Sequence, residues 1–178
     1  MARIAQPQAA AGLVPAPPAA SPLTPPSGIP WTLRRAMAAD AAAVRACVHD
    51  AFRLYVPRLG VEPRPMQRDY VEAIAKVQVW LATLRDETVA TLLLDMTDEG
   101  FLIDVIAVQP AHQGTGVGRV LLEHAEHEAV RQGHASIYLY TNEKMTENRA
   151  LYQRIGYVEY RRETLDGRTR VFLRKRLR

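Results

Sequence analysis

An apolar run from Phe101 to Val108 leads through a short loop, Gln109 to Gly118, into an amphipathic pattern from Arg119 to Gln132. Leu121, Leu122, Ala125 and Ala129 fall on one stripe of that pattern. Glu123, Glu126, His127 and Arg131 fall on the other, and Gly133 is placed to stop the helix. Ser136 to Tyr140 then reads as another strand. A strand, a crossover helix and a second strand imply one parallel pair in the sheet. The near-continuous apolar character of 101 to 108 predicts a strand buried on both faces.

The other segments read as hairpins and short helices. Trp31 to Arg34 is a first strand. Asp40 to Phe52 is a helix with Val44, Cys47, Val48 and Ala51 on one stripe. Tyr55 to Pro65 reads as a loop, because Pro57, Gly60, Pro63 and Pro65 oppose regular structure. Gln67 to Lys76 is a short helix. Val77 to Leu84 and Thr88 to Met96 are strands joined at Asp86-Glu87. A helix from Thr146 to Ile155 precedes a closing hairpin, Tyr157 to Thr164 and Arg170 to Leu177, whose turn carries Asp166-Gly167. The predicted order is β-α-α-β-β-β-α-β-α-β-β. This is an α+β fold, with helices on both faces of a mixed, mostly antiparallel sheet. Residues 31 to 178 read as a single domain, and 1 to 30 as a disordered Ala/Pro-rich extension.

The loop itself carries chemistry. Gly114, Gly116 and Gly118 stand at the start of a helix, where backbone N–H groups are free to bind an anion. A dinucleotide loop, G-x-G-x-x-G counted from Gly114, fails at Arg119. A nucleotide-triphosphate loop fails at Arg119 and Val120. What remains is Q-x-x-G-x-G at Gln113, Gly116 and Gly118. A second motif lies downstream, with Asn148, Ala150, Leu151, Tyr152, Gly156 and Tyr157 in order. Asn148 and Tyr152 are four residues apart and share a helix face. Gly156 suits a left-handed helix cap.

Together these two motifs resemble those of the GNAT family of N-acetyltransferases. The second motif is present in shortened form. The resemblance covers about residues 31 to 177 and is strongest from 101 to 157. It implies an acetyl-coenzyme A pyrophosphate on Gln113, Gly114, Thr115, Gly116, Val117 and Gly118, with Arg119 near enough to add charge. It implies a pantetheine arm beside Ile106, Ala107 and Val108, and a cofactor contact at Asn148. Tyr152 would protonate the departing thiolate, since a phenol pKa of about 10 and a thiol pKa of about 8.5 make the transfer feasible. Asp104 is the candidate base. A carboxylate within so apolar a strand is costly unless it is paired or lies at the mouth of a site. Glu99 and His112 are weaker candidates. Tyr55, Arg58 and Arg64, on loops that face the last hairpin, are candidate acceptor-binding residues.

Composition narrows the rest. A net charge of +4 suits an anionic cofactor and does not by itself argue for nucleic acid. The basic ending from Arg174 to Arg178 reads as a solvated strand end. Cys47 is the sole cysteine, which excludes an intramolecular disulfide and is compatible with a reducing cytoplasm. Its Ala/Val surroundings mark a structural thiol. No apolar stretch is long enough for a bilayer, and no secretory signal pattern opens the chain. A cytoplasmic protein is expected. His124, His127 and His134 read as surface histidines, and no metal is expected. The expected activity is acetyl-coenzyme A-dependent acetylation of a small-molecule primary amine by direct attack in a ternary complex. Protein or peptide acetylation, at an N-terminus or Lys, is the alternative within the enzyme class. A non-catalytic acyl-coenzyme A-binding module is the alternative outside it. A homodimer is compatible by fold-level analogy.

Overall fold

A computed structural model describes residues 31 to 178. The extension expected over 1 to 30 lies outside the described residues. In chain order the elements are β1 (Trp31–Arg35), α1 (Ala41–Phe52), α2 (Val56–Leu59), α3 (Tyr70–Lys76), β2 (Gln78–Leu84), β3 (Glu87–Thr97) and β4 (Gly100–Val108). There follow α4 (Val117–Arg131), β5 (Ser136–Asn142), α5 (Thr146–Arg154), β6 (Val158–Leu165) and β7 (Arg168–Arg176). The strands form one sheet in the order β1-β2-β3-β4-β5-β7-β6, in which only β4 and β5 run parallel. The mixed α+β architecture is the expected one.

Strand β4 departs from the expected continuous burial. Its residues Phe101, Leu102 and Ile103 are buried, but Asp104, Ile106 and Val108 are only half-buried. Two pairing events account for this. Against β3, Leu94 pairs with Ile103 and Leu93 with Val105, so Asp104 is the extra residue of a β-bulge. Against β5, the parallel ladder runs only from Phe101↔Ile137 to Ile103↔Leu139. Beyond the bulge the two strands part, while β5 stays paired to β7 as far as Asn142↔Arg170.

The bulge also exchanges the faces of β4. Before it, Phe101 and Ile103 pack with Leu121, Leu122, Ala125, Ala129 and Tyr152 beneath α4 and α5. After it, Val105 and Ala107 pack with Val44, Cys47, Val48 and Tyr70 beneath α1 and α3. The predicted stripes of α1 and α4 are therefore the buried ones. Burial pushes the Cys47 thiol up to about 12, as befits a structural cysteine.

Local chemistry corrects several boundaries. Helix α3 begins at Tyr70 rather than Gln67, because the Asp69 carboxylate accepts hydrogen bonds from the N–H groups of Val71 and Glu72 at 2.9 and 3.2 Å. The expected loop over 55 to 65 contains the helical turn α2. Pro57 lies in its first turn, where a missing N–H is harmless. The turn of the β2–β3 hairpin is Arg85-Asp86, one residue earlier than expected, with both residues at positive φ.

His124 is a further correction. It is buried at 5% exposure, with its ring 4.2 Å from that of Trp80 in an edge-on arrangement. The sheet curls Trp80 over α4, so the buried stripe is wider than its aliphatic residues alone indicate. Burial holds the imidazole down to about 4, against an ordinary value of 6.5. Its Nε2 has no hydrogen-bond partner among the described residues. Between these two values the unfolded chain binds a proton that the folded protein refuses, so stability falls as pH drops through that window. We expect a loss on the order of 3 kcal/mol from pH 7 to pH 4 from this group. Urea unfolding of wild type and His124→Phe at both pH values measures it, and the variant should lose less.

Candidate active site

A cavity of about 610 Å³ occupies the gap where β4 and β5 part. Its lining comes from residues 103 to 106 of β4, 139 to 142 of β5, Met145, Asn148 and Tyr152 around α5, the segment 61 to 68, and the β6–β7 hairpin. Beyond Ile103 the backbone edge of β4 that faces this gap has no strand partner. It is therefore available to hydrogen-bond an extended ligand. Ile106 lines the cavity, whereas Ala107 is buried toward α1 and Val108 packs against the α4 side.

The glycine loop follows directly from this edge. Gly116 caps α4 with φ +90, a conformation that costs an L-residue about 1–2 kcal/mol. Among the described residues the backbone N–H groups of residues 114 to 119 meet no acceptor. They stand at the positive end of α4, where they could seat an anion. Val117 is buried and anchors the helix start. A Cβ on Gly118 would lie 3.4 Å from Val108 Cγ2, so loop and strand pack closely. The Gln113 side chain donates to the Val108 carbonyl at 3.1 Å, and Thr115 Oγ1 to the His112 carbonyl at 2.7 Å. Arg119 turns to Glu123 at 2.9 Å on an exposed face. The seat is thus built from backbone rather than from side-chain charge.

Asn148 and Tyr152 both line the cavity, as their spacing on α5 predicts. Tyr152 is buried, and burial pushes its phenol above the ordinary tyrosine value. The hydroxyl therefore stays protonated through the neutral range. Asn148 Oδ1 accepts a hydrogen bond from Tyr55 Oη at 3.3 Å. Beside it, Arg58 grips Glu147 with two bonds of 2.7 and 2.9 Å and holds that carboxyl down to about 2. Tyr55 and Arg58 thus tie the α2 region to α5 and do not line the cavity, whereas Arg64 does.

Asp104 lies on the cavity floor with both oxygens engaged. Oδ2 is ion-paired with Arg68, and Oδ1 accepts from Tyr140 Oη at 3.1 Å. Arg170 in turn stacks over the Tyr140 ring at 5.2 Å. Arg68, Tyr140, Arg168 and Arg170 were not singled out from sequence. The alternation of β5 and β7 carries the signal for three of them: Tyr138 and Tyr140 lie opposite Ile137 and Leu139, and Arg168 and Arg170 share a face. Glu99 and His112 do not line the cavity. Glu99 is instead bonded to Arg161, Arg174 and Tyr160. Among the described residues no helix is long and apolar enough to cross a membrane.

The model of the acetyltransferase (GNAT) domain family matches residues 75 to 159, the stretch that spans the bulge, the glycine loop and α5. No curated protein matches the chain by sequence. Among solved structures, PaiA N-acetyltransferase from Thermoplasma acidophilum, in complex with coenzyme A, superposes with a TM-score of 0.71 at 12% identity. The alignment covers 82% of this chain and 98% of that one. A GNAT-family protein from Desulfovibrio desulfuricans gives 0.68 at 20% identity, covering 82% and 98%. The ribosomal-protein-S18-alanine N-acetyltransferase of Escherichia coli gives 0.65 at 20%, covering 83% and 94%. At these identities the superpositions establish the fold, while the family match falls on the segment that carries β4, the glycine loop and α5 and supplies part of the cavity lining. The fold is that of GNAT acetyltransferases, and residues 75 to 159 match the model of that domain family.

Proposed function

We propose that this protein is an acetyl-coenzyme A-dependent N-acetyltransferase acting on the primary amine of a small molecule. One observation carries the reading. Chain order supports a path: the N–H groups of 114 to 119, unpaired among the described residues, follow the β4 edge that is unpaired beyond Ile103 among those residues, and that edge borders the cavity lined by Asn148 and Tyr152. That path fits an anionic head, an amide-bearing arm and a reactive end, in this order. Acetyl-coenzyme A supplies an activated acetyl group, which the amine attacks directly with both substrates bound.

The residues of the chain then have separate tasks. Backbone N–H groups of the loop bind the pyrophosphate, and residues 106 to 108 pair with the arm. Asn148, held by Tyr55, orients it. Tyr152 keeps its proton until the C–S bond breaks and then gives it to the sulfur. Asp104, oriented by Arg68 and Tyr140, takes the proton that the amine sheds. Arg64 faces the acceptor side. A peptide amine is the second reading, favoured because the cavity lining runs on to exposed residues of the hairpin, Glu163, Leu165 and Arg168.

Acetyl-coenzyme A at about a hundred times its Kd should raise Tm by about 5 °C or more in a thermal-shift experiment. No shift would remove the reading. Tyr152→Phe should lower kcat by about a hundredfold or more while KM for acetyl-coenzyme A changes by less than about threefold. Asp104→Asn should abolish the acidic limb of the kcat/KM–pH profile. Retention of that limb in a folded variant would leave Asp104 a structural partner of Arg68.

A further inference from the structure

The cavity is lined by four arginines and four carboxylates, of which only Arg68 and Asp104 pair with each other among the described residues. The arginines are Arg64, Arg68, Arg168 and Arg170. Arg68 is neutralised by Asp104. Among the described residues the other three have no carboxylate within ion-pair distance. Glu163 lies opposite Arg170 in the β6–β7 ladder, yet its carboxylate goes to Arg161 at 3.1 Å. Two further rim carboxylates, Glu62 and Asp166, form no ion pair either.

Arg170 is the most constrained of the three. It is half-buried, and its guanidinium stacks on the Tyr140 ring, whose hydroxyl is bonded to Asp104. The guanidinium sits over that ring at 5.2 Å and makes no hydrogen bond to a protein acceptor among the described residues, so its N–H groups are free to donate. Such a fork matches a carboxylate. Arg168 shares its strand face two residues away, and Arg64 enters from the segment 61 to 68. A half-buried cation without a counter-ion is costly, and a bound anion offsets that cost.

We infer that the acceptor is an amine that also carries a carboxylate, and that Arg170 and Arg168 recognise the carboxylate. This rests on the acetyltransferase reading above and narrows its substrate class. The ion pair of Asp104 with Arg68 separates the two ends. Asp104 takes the proton of the amine, and the hairpin arginines, with which it forms no ion pair among the described residues, are left to the anion. Arg170 sets specificity and takes no part in bond making.

The experiment is initial-rate thiol release from acetyl-coenzyme A. Its panel is α-amino and ω-amino acids, each paired with its carboxamide, together with neutral amines and short peptides. At least one acid should exceed its carboxamide by about tenfold or more in kcat/KM, chiefly through KM. That ratio should fall toward one in Arg170→Gln and in Arg168→Gln, with Arg170→Lys in between. Arg168 is exposed, so its variant tests the idea even if Arg170→Gln unfolds. Equal use of acids and carboxamides, release with peptides alone, or a ratio untouched in both variants overturns the inference. Absence of release with every amine, together with no thermal shift, overturns the acetyltransferase reading and this inference with it.

Discussion

The arrangement of the site depends on one extra residue in β4. An antiparallel ladder keeps alternate residues on alternate faces, and a bulge breaks that parity. Because Asp104 is the inserted residue, Ile103 and Val105 serve opposite cores. The same local twist ends the parallel pairing with β5 after Ile103. A sheet that would otherwise be continuous therefore opens between its central strands. The opening exposes a backbone edge beside the glycine loop, and it presents a carboxylate at its apex.

Three polar contacts tie together segments that border the opening. Arg68 reaches Asp104, Tyr55 reaches Asn148, and Arg58 reaches Glu147. Such partly exposed pairs contribute little to stability. Their consequence is positional. They join the segment between α1 and α3 to β4 and α5, and so hold one wall of the cavity against the other. The apolar cores on either face carry the stability, and the polar ties set the shape of the gap.

The central third of the chain was the most legible. A strand, a glycine loop and a helix announce a parallel crossover and an anion seat, and the four-residue spacing of Asn148 and Tyr152 puts them on one face. These features depend on neighbours close in sequence. The limits were equally physical. Asp69 offered a better cap than any residue near Gln67, and Pro57 was read as a helix breaker though it sits where proline is tolerated. His124 looked like a surface histidine because its burial depends on Trp80, more than forty residues away in sequence. Arg68 and Tyr140 escaped notice because neither stands in a motif, and Arg168 and Arg170 were read only as part of the hairpin stretch facing the acceptor loops; the folded sheet brings all four to one cavity.

The amino-acid sequence by itself determined the order of elements, the single parallel crossover, the glycine cradle and the pairing of Asn148 with Tyr152. Each follows from local periodicity, turn chemistry or helix geometry. Only the tertiary structure decided that β4 bulges at Asp104, that this carboxylate belongs to Arg68 and Tyr140, and that Arg170 stacks over Tyr140 without an acidic partner. Those outcomes depend on the register between strands distant in sequence. Register is settled by which faces can be buried together, a property of the whole sheet that no short stretch of residues contains.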